Sequence, residues 1–357
     1  MVSRLCAVAA LLAIAAAIAL HIAGDGPAAE TAGIVAFAAL FAAAVIPTRE
    51  TIAGQRAERL PPSTVLRRLL RPLFGPEAPG ARAILASMRI FYGKTKSIAV
   101  RGLPFSIDLE DTGVGFELLC TGGFEPGETA FFKRLLQPGQ RVADVGANIG
   151  YFTTLFAELV GPHGKVIAFE PDPRTLALLQ KNVAERGVGD RVQIVHAAVG
   201  SAPGIAPLFV LDSGNRGDQR MYLTDPGEDR KAAARSRVDV RVVRFDDAIA
   251  DWPQLDAIKM DIQGFEGHAL AGMHASRARW PHVVMLVEYW PWGLRAAGSD
   301  PLEVLAELRR DAAVFELDAR GALLPLDDDS MVDELQRSRR HINVVVGPPD
   351  RIRASGT

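Results

Sequence analysis

The chain has 357 residues, enough for one large α/β domain with appendages. A formal net charge of −2 gives no global field for a nucleic acid or other polyanion. Two cysteines, Cys6 and Cys120, exclude a disulfide framework and suggest no thiolate metal site.

At the N-terminus two alanine-rich apolar runs stand apart from the rest. Leu5 to Gly24 carries no charge beyond what His21 could take up, and Thr31 to Pro47 carries none. Each is near the roughly 20 residues that cross a hydrocarbon core. Arg4 precedes the first, and Arg49, Arg56, Arg59, Arg67, Arg68 and Arg71 follow the second, while the short linker between them is acidic. Positive charge at both outer ends predicts a transmembrane helical hairpin over 1–48, with both ends and the main domain on the cytoplasmic side of the inner membrane. A cleavable signal peptide at the first run, or a single membrane anchor, is the rival reading. A basic juxtamembrane linker follows over 49–95, in which Ser63 to Gly75 reads as a basic amphipathic turn able to lie on an anionic leaflet, or as a solvated linker.

Farther along, "SIAVRG" and "FSIDLED" read as a short hairpin, and "GGFEPGETAFFKRLLQPGQ" as a loop and a helix. From Arg141 apolar strands alternate with helical patterns. Strands are expected at "RVADVG", "KVIAFEP", "VQIVHAAVG", "AIKMDIQG", "HVVMLVEYW", "AVFELD" and "INVVVG", and helices at Ile149–Leu159, Thr175–Glu185, Phe265–His274 and Pro301–Arg310. Nearly continuous apolar strands separated by helices predict a doubly wound α/β domain on a seven-stranded, mainly parallel sheet with a closing antiparallel strand.

In such a sheet ligands bind beyond the carboxyl end of the first strand. Here that corner reads "DVGANIG". Gly146 and Gly150 would let a ligand approach the backbone, Asn148 would cap the following helix, and Asp144 would hold an ammonium. Glu170, 20 residues past Gly150, ends the next strand, where an acid grips a ribose diol. A plain glycine turn explains the corner alone; the added acid favours a nucleoside. The spacing Gly146-x-x-x-Gly150 behind an acid does not suit a pyrophosphate. It suits S-adenosylmethionine, which has an amino-acid tail, a ribose and no phosphate.

In this order, "DVGANIGYFT", "AFEPDP", "HAAVG", "IKMDIQGFE" and "VEYWP" resemble the FkbM family of class I S-adenosylmethionine-dependent methyltransferases. The resemblance covers residues 96–347 and leaves 348–357 as a tail. It implies a Rossmann-like, seven-stranded sheet with a reversed last strand, and methyl transfer to hydroxyl oxygens of sugars, polyketides and other natural products. It implies that Asp144, Gly146, Ala147, Asn148 and Gly150 cradle the methionine part and Glu170 the ribose. Ala197 and Ala198 would lie near the adenine, and Glu125 and Glu128 would fold over the pocket. One departure is Gln263, where the family usually has glutamate.

An alcohol acceptor needs a base or a metal. Asp261, ending its strand, is the expected base or base-organiser. Lys259, two residues earlier on the same face, would position it or bind substrate. Glu288, ending the neighbouring strand, would orient the substrate or share a divalent ion, and His268 is a second candidate base. Tyr289, Trp290 and Trp292 offer rings for a substrate or simply pack, and the polar loop Leu211 to Thr224 would rim the acceptor pocket. The expected function is a membrane-tethered O-methyltransferase acting on a hydroxyl of a glycan, lipid-linked sugar or secondary metabolite, with no nucleic-acid partner. A membrane-anchored, non-catalytic cofactor-binding scaffold and an NAD-dependent oxidoreductase are the alternatives. The sequence leaves the oligomeric state open.

Overall fold

The structure, a computed structural model, describes residues 85, 88, 89, 92–211, 215, 217–222, 234–310, 312–326 and 328–354. Both apolar N-terminal runs and the basic turn Ser63 to Gly75 lie outside these residues. Among the described residues no helix is long and apolar enough to cross a membrane.

The chain divides into two compact units, Met1–Gly123 and Phe124–Thr357. In the first, the expected hairpin forms as β1 (Thr95–Val100) against β2 (Leu103–Asp108), antiparallel, turning at Arg101 and Gly102. Helix α1 (Val114–Thr121) follows, with the Asp111 carboxylate accepting the N–H of Gly113 and Gly115.

The second unit opens with α2 (Pro126–Leu135). Its main sheet contains β3 (Arg141–Val145), β4 (Lys165–Phe169), β5 (Val192–Val195), β10 (Ala257–Met260), β11 (Val284–Tyr289), β12 (Ala313–Leu317), β13 (Leu323–Pro325) and β14 (Ile342–Gly347). Their order is β13-β12-β14-β11-β10-β3-β4-β5. From β5 to β11 all neighbours are parallel, while β14 runs antiparallel to both β11 and β12. The closing strand is therefore reversed, as expected. The sheet has eight strands rather than seven, because short β13 pairs antiparallel with β12 at the edge.

The central strands are buried on both faces. Ile258, Met260, Met285 and Val287 pack with Phe245, Leu305 and Leu308 in one continuous core. Strand order reverses between β3 and β10, which places the switch point at the corner after β3. Between β5 and β10 the chain builds a separate four-stranded sheet of β6 (Ala198–Val199), β7 (Gly204–Leu211), β8 (Gln219–Arg220) and β9 (Ala234–Val243). Its apolar face gathers Ala198, Leu208, Val240 and Val242. The helix expected over Phe265–His274 is two short ones, Glu266–Ala271 and His274–Arg279. They part at Gly272, where a Cβ would meet the Gly200 carbonyl oxygen at 2.2 Å.

Candidate active site

The corner after β3 is stitched to the neighbouring strand ends. Gly146 and Ala147 both donate their N–H to the Phe169 carbonyl, at 3.1 and 2.9 Å. Gly146 has φ +88°, and a Cβ there would lie 2.0 Å from the Asp261 carbonyl oxygen. Gly150 also has φ +88°, and its Cβ would lie 2.6 Å from Leu179 Cδ1. Room expected for a ligand at these two glycines is thus filled by the chain itself. Helix α3 (Tyr151–Val160) begins two residues later than expected, with Gly150 as its N-cap. Asn148 does not cap it: at φ +49° its Oδ1 accepts the adjacent Ile149 N–H at 2.7 Å.

Asp144 is 1% exposed and accepts the Thr153 hydroxyl at 2.5 Å. Burial raises its pKa to about 6, against the pull of Lys259 and the Thr153 hydrogen bonds. Glu170 is buried too, and burial raises it to about 7. Its Oε2 accepts the Asn148 N–H at 2.8 Å. Its Oε1 accepts the Asp172 N–H at 2.8 Å and the Thr175 hydroxyl at 2.9 Å. A carboxylate offers about four lone-pair positions, so these three donors leave room for one more on Oε2. Glu170 therefore ties the β3 corner to the start of α4 (Pro173–Glu185).

Past Glu170, His196 Nε2 lies 3.0 Å from the Pro171 carbonyl oxygen. A cleft of about 380 Å³ opens here, lined by Pro173, His196, Val238, Asp239, Val240 and Arg241. Ala197 and Ala198 follow His196, where the chain leaves the main sheet for the second one. Ala197 is fully buried and Ala198 nearly so.

On the other side of the corner Lys259 gathers carboxylates. It is the register partner of Asp144 across β10 and β3. Its Nζ lies 3.3 Å from Asp261 Oδ2, 3.7 Å from Glu128 Oε2 and 3.8 Å from Glu125 Oε2, and 4.7 Å from the Phe152 ring centre. Burial works against its charge, but Asp261, Glu125, Glu128 and Asp144 outweigh it and hold the ammonium well above its ordinary pKa. Lys259 is therefore no proton acceptor at neutral pH. Asp261 moves the other way: burial opposes ionisation, yet Lys259, Gln263 and His341 keep it below the usual range. Glu125 and Glu128 are both raised, first by burial, and are close enough to share a proton. Glu125 holds φ +43° at the N-cap of α2.

Glu288 at the end of β11 completes the group. Gln263 Nε2 donates to Glu288 Oε2 at 3.0 Å and to Asp261 Oδ1 at 2.9 Å. His341 Nδ1 lies 3.6 Å from Glu288 Oε1. Burial, Asp261 and Glu266 push the Glu288 carboxyl well up. His268 does not join this group. Its ring stacks on Phe265 at 4.3 Å and its Nε2 meets the Ala297 carbonyl at 2.9 Å. Among the described residues no group of three or more His, Cys, Asp or Glu has the geometry to hold a metal ion.

The aromatic residues after Glu288 pack inward. Tyr289 is fully buried and donates its hydroxyl to the Pro301 carbonyl at 2.8 Å. Trp290 and Trp292 lie 5.1 Å apart, each 8% exposed, beside the Arg220 guanidinium. From the described part of the polar loop, Gln219 Nε2 reaches Asp172 Oδ2 at 2.7 Å and the Tyr222 hydroxyl donates to the Gln263 carbonyl at 2.8 Å.

Several contributors escape the sequence reading. Asn343 donates to Glu128 Oε1 at 2.6 Å, and its signal is that it is the sole polar residue in "INVVVG". Thr153 and Thr175, which hold Asp144 and Glu170, look like ordinary helix residues and carry no signal.

The parallel sheet with its reversed last strand, and the acid-bearing corner at its switch point, define a class I S-adenosylmethionine-dependent methyltransferase fold of Rossmann type. Residues 144–315 match the methyltransferase FkbM domain. The 31-O-demethyl-FK506 methyltransferase FkbM of Streptomyces tacrolimicus is 31% identical over 183 residues, covering 43% of this chain and 65% of that protein. Methyltransferase sdnD of Sordaria araneosa is 27% identical over 179 residues, covering 43% of this chain and 68% of that protein. The chain thus spans about two thirds of the length of these relatives. Among solved structures, the O-methyltransferase TomG of Streptomyces achromogenes aligns at 12% identity and a TM-score of 0.33, over 63% of this chain and 79% of that one.

Proposed function

We propose that the chain is an S-adenosylmethionine-dependent O-methyltransferase whose acceptor is a hydroxyl of a glycan, a lipid-linked sugar or a secondary metabolite. The observation that carries this reading is the gathering of Asp144, Glu125, Glu128 and Asp261 around Lys259, directly beside the β3 corner. Four acids around one ammonium favour a cationic ligand and repel a pyrophosphate. S-adenosylmethionine carries an ammonium and a sulfonium; NAD carries a pyrophosphate.

In this reading Asp144 faces the methionine end, with Gly146, Ala147, Asn148 and Gly150 shaping the backbone there. Glu170 uses its remaining lone pair on a ribose hydroxyl, and the Pro173–His196 cleft faces the adenine. The sulfonium supplies an electrophilic methyl group. The chain's task is then to hold the acceptor oxygen in line with it and to take a proton. Asp261, kept ionised by Lys259, is the proton acceptor as the O–C bond forms and the C–S bond breaks. Glu288 orients the acceptor. The two N-terminal apolar runs would tether the domain to the cytoplasmic membrane, a reading that rests on their charge pattern alone.

Calorimetry on the full chain tests it, with S-adenosylmethionine, S-adenosylhomocysteine and NADH as titrants. Micromolar binding of the first two, weakened in Asp144→Ala and Glu170→Ala, is expected. Binding of NADH alone would refute the reading. Binding of none would favour a non-catalytic scaffold.

A further inference from the structure

Gln263 occupies an unusual place. It stands at φ +57°, followed by Gly264 at φ +97°, in the turn between β10 and the helix Glu266–Ala271. Such a backbone costs a side-chain-bearing residue about 1 kcal/mol. The turn is anchored from outside: the Tyr222 hydroxyl holds the Gln263 carbonyl at 2.8 Å, and a Cβ on Gly264 would lie 2.7 Å from that same hydroxyl. The turn aims the Gln263 amide between two carboxylates that end neighbouring strands. Both Nε2 protons are used, one on Asp261 Oδ1 at 2.9 Å and one on Glu288 Oε2 at 3.0 Å. The flipped form of the amide would set Oε1 against the Asp261 carboxylate, so this orientation is the better one.

We propose that Gln263 is a positioning residue: its amide stands where a cation would otherwise be needed, and joins Asp261 to Glu288 in one fixed arrangement. The word positioning rests on the reading of these two acids as the acceptor end of a methyltransferase site; the bridge itself does not. The surrounding charges agree with it. Lys259 lies on the far oxygen of Asp261 at 3.3 Å and His341 on the far oxygen of Glu288 at 3.6 Å. Glu125 and Glu266 face the same group, and Glu266 is itself raised to about 8 by burial. Lys259 holds the Asp261 carboxyl down while burial and Asp261 push Glu288 up, and a neutral two-proton donor suits such a pair. A glutamate in place of Gln263 would put a third carboxyl in the same place with nothing to donate. The site would then need a proton or a divalent cation.

The test uses the full chain and free Mn²⁺ as probe, read by electron paramagnetic resonance and by thermal unfolding at about pH 5.5 and about pH 8. Gln263→Met should melt lower by a similar amount at both pH values and take up no Mn²⁺. Gln263→Glu should melt lower chiefly at the higher pH, by about 5 °C. Its new carboxyl has a raised folded pKa, so stability falls as pH climbs above the ordinary glutamate value. It should also bind Mn²⁺ at least about tenfold tighter than the wild type and recover its melting point with the ion. Wild-type Mn²⁺ binding that Asp261→Asn abolishes would overturn the proposal. So would a Glu variant that melts like wild type at both pH values, or one that gains no Mn²⁺ binding. A Glu variant that accumulates only with Mn²⁺ supplied supports it; failure even then, while the Met variant folds, counts against it. No methyl donor enters these readouts, so their failure would leave the methyltransferase reading standing, and a failed cofactor titration would leave the bridge standing.

Discussion

Replacing Lys259 by methionine removes the one ammonium from a group of four acids while nearly keeping the length of the side chain. Asp261, Glu128 and Glu125 lose a cation at 3.3, 3.7 and 3.8 Å, and Asp144 loses its cross-strand partner. Of these four acids only Asp261 sits below its ordinary pKa in the wild type, because Lys259, Gln263 and His341 together outweigh burial. Breaking a buried ion pair from one side costs about 3–5 kcal/mol when the abandoned charge stays ionised. It need not stay ionised. Lys259 itself remains charged throughout the neutral range, so the pH dependence belongs to the carboxyls. Without the ammonium, the folded-state pKa of Asp261 rises above its unfolded value. The penalty is then small below about pH 4 and grows as pH rises through the new folded pKa. Urea unfolding of Lys259→Met and wild type at about pH 5 and about pH 8 should show a gap wider at the higher pH, by roughly 2 kcal/mol. An equal gap at both would mean that Lys259 acts through packing on Phe152, and the electrostatic account of the cluster would be wrong.

Two further predictions concern the corner. Gly146→Ala combines a left-handed backbone with a Cβ 2.0 Å from the Asp261 carbonyl, and should lower stability in urea by about 2–4 kcal/mol while displacing the end of β10. Amide exchange should rise at Asp261, whose N–H donates to the Val145 carbonyl at 3.1 Å. Glu170→Gln removes a carboxyl whose folded pKa stands near 7 against an ordinary 4.5. Because that shift is upward, the wild type loses stability from this group as pH rises from about 4.5 to about 7, by up to about 3 kcal/mol. The variant lacks that slope, so its stability relative to wild type should improve across this window, even as it weakens S-adenosylmethionine binding.

Where sequence reading succeeded and where it stopped follows from the range of the forces involved. Nearly uninterrupted apolar strands such as "VVMLVEY" require burial on both faces, and that local signal located the parallel sheet. Lys259 and Asp261, two apart on one strand, share a face by geometry alone, and the structure joins them at 3.3 Å. The second sheet also carries a local signal. Val238, Val240 and Val242 alternate with Arg237, Asp239 and Arg241, the period of a half-buried strand. The glycines were a different matter. Gly146 is demanded by the Asp261 carbonyl, 115 positions away in the chain, and only the register of β3 against β10 brings them together.

Gln263 shows the same limit in its sharpest form. In the sequence it is a glutamate's shape without the charge, and reads as a loss. Whether an amide in that turn weakens the site depends on what faces it. Glu288 comes from the next strand, 25 residues on, and Asp261 from the strand just ended. Between two acids a third acid would repel, while an amide donates to both. The charge that sequence reading counts as missing is one that this arrangement would have to neutralise. Under the proposed function, the same logic would put the reacting proton on Asp261. Lys259 and Gln263 pull the Asp261 carboxyl down while burial and Asp261 push Glu288 up, so two carboxyls of similar ordinary acidity are driven apart by their neighbours. An acid–base division of that kind is the property that general-base assistance to an attacking hydroxyl requires.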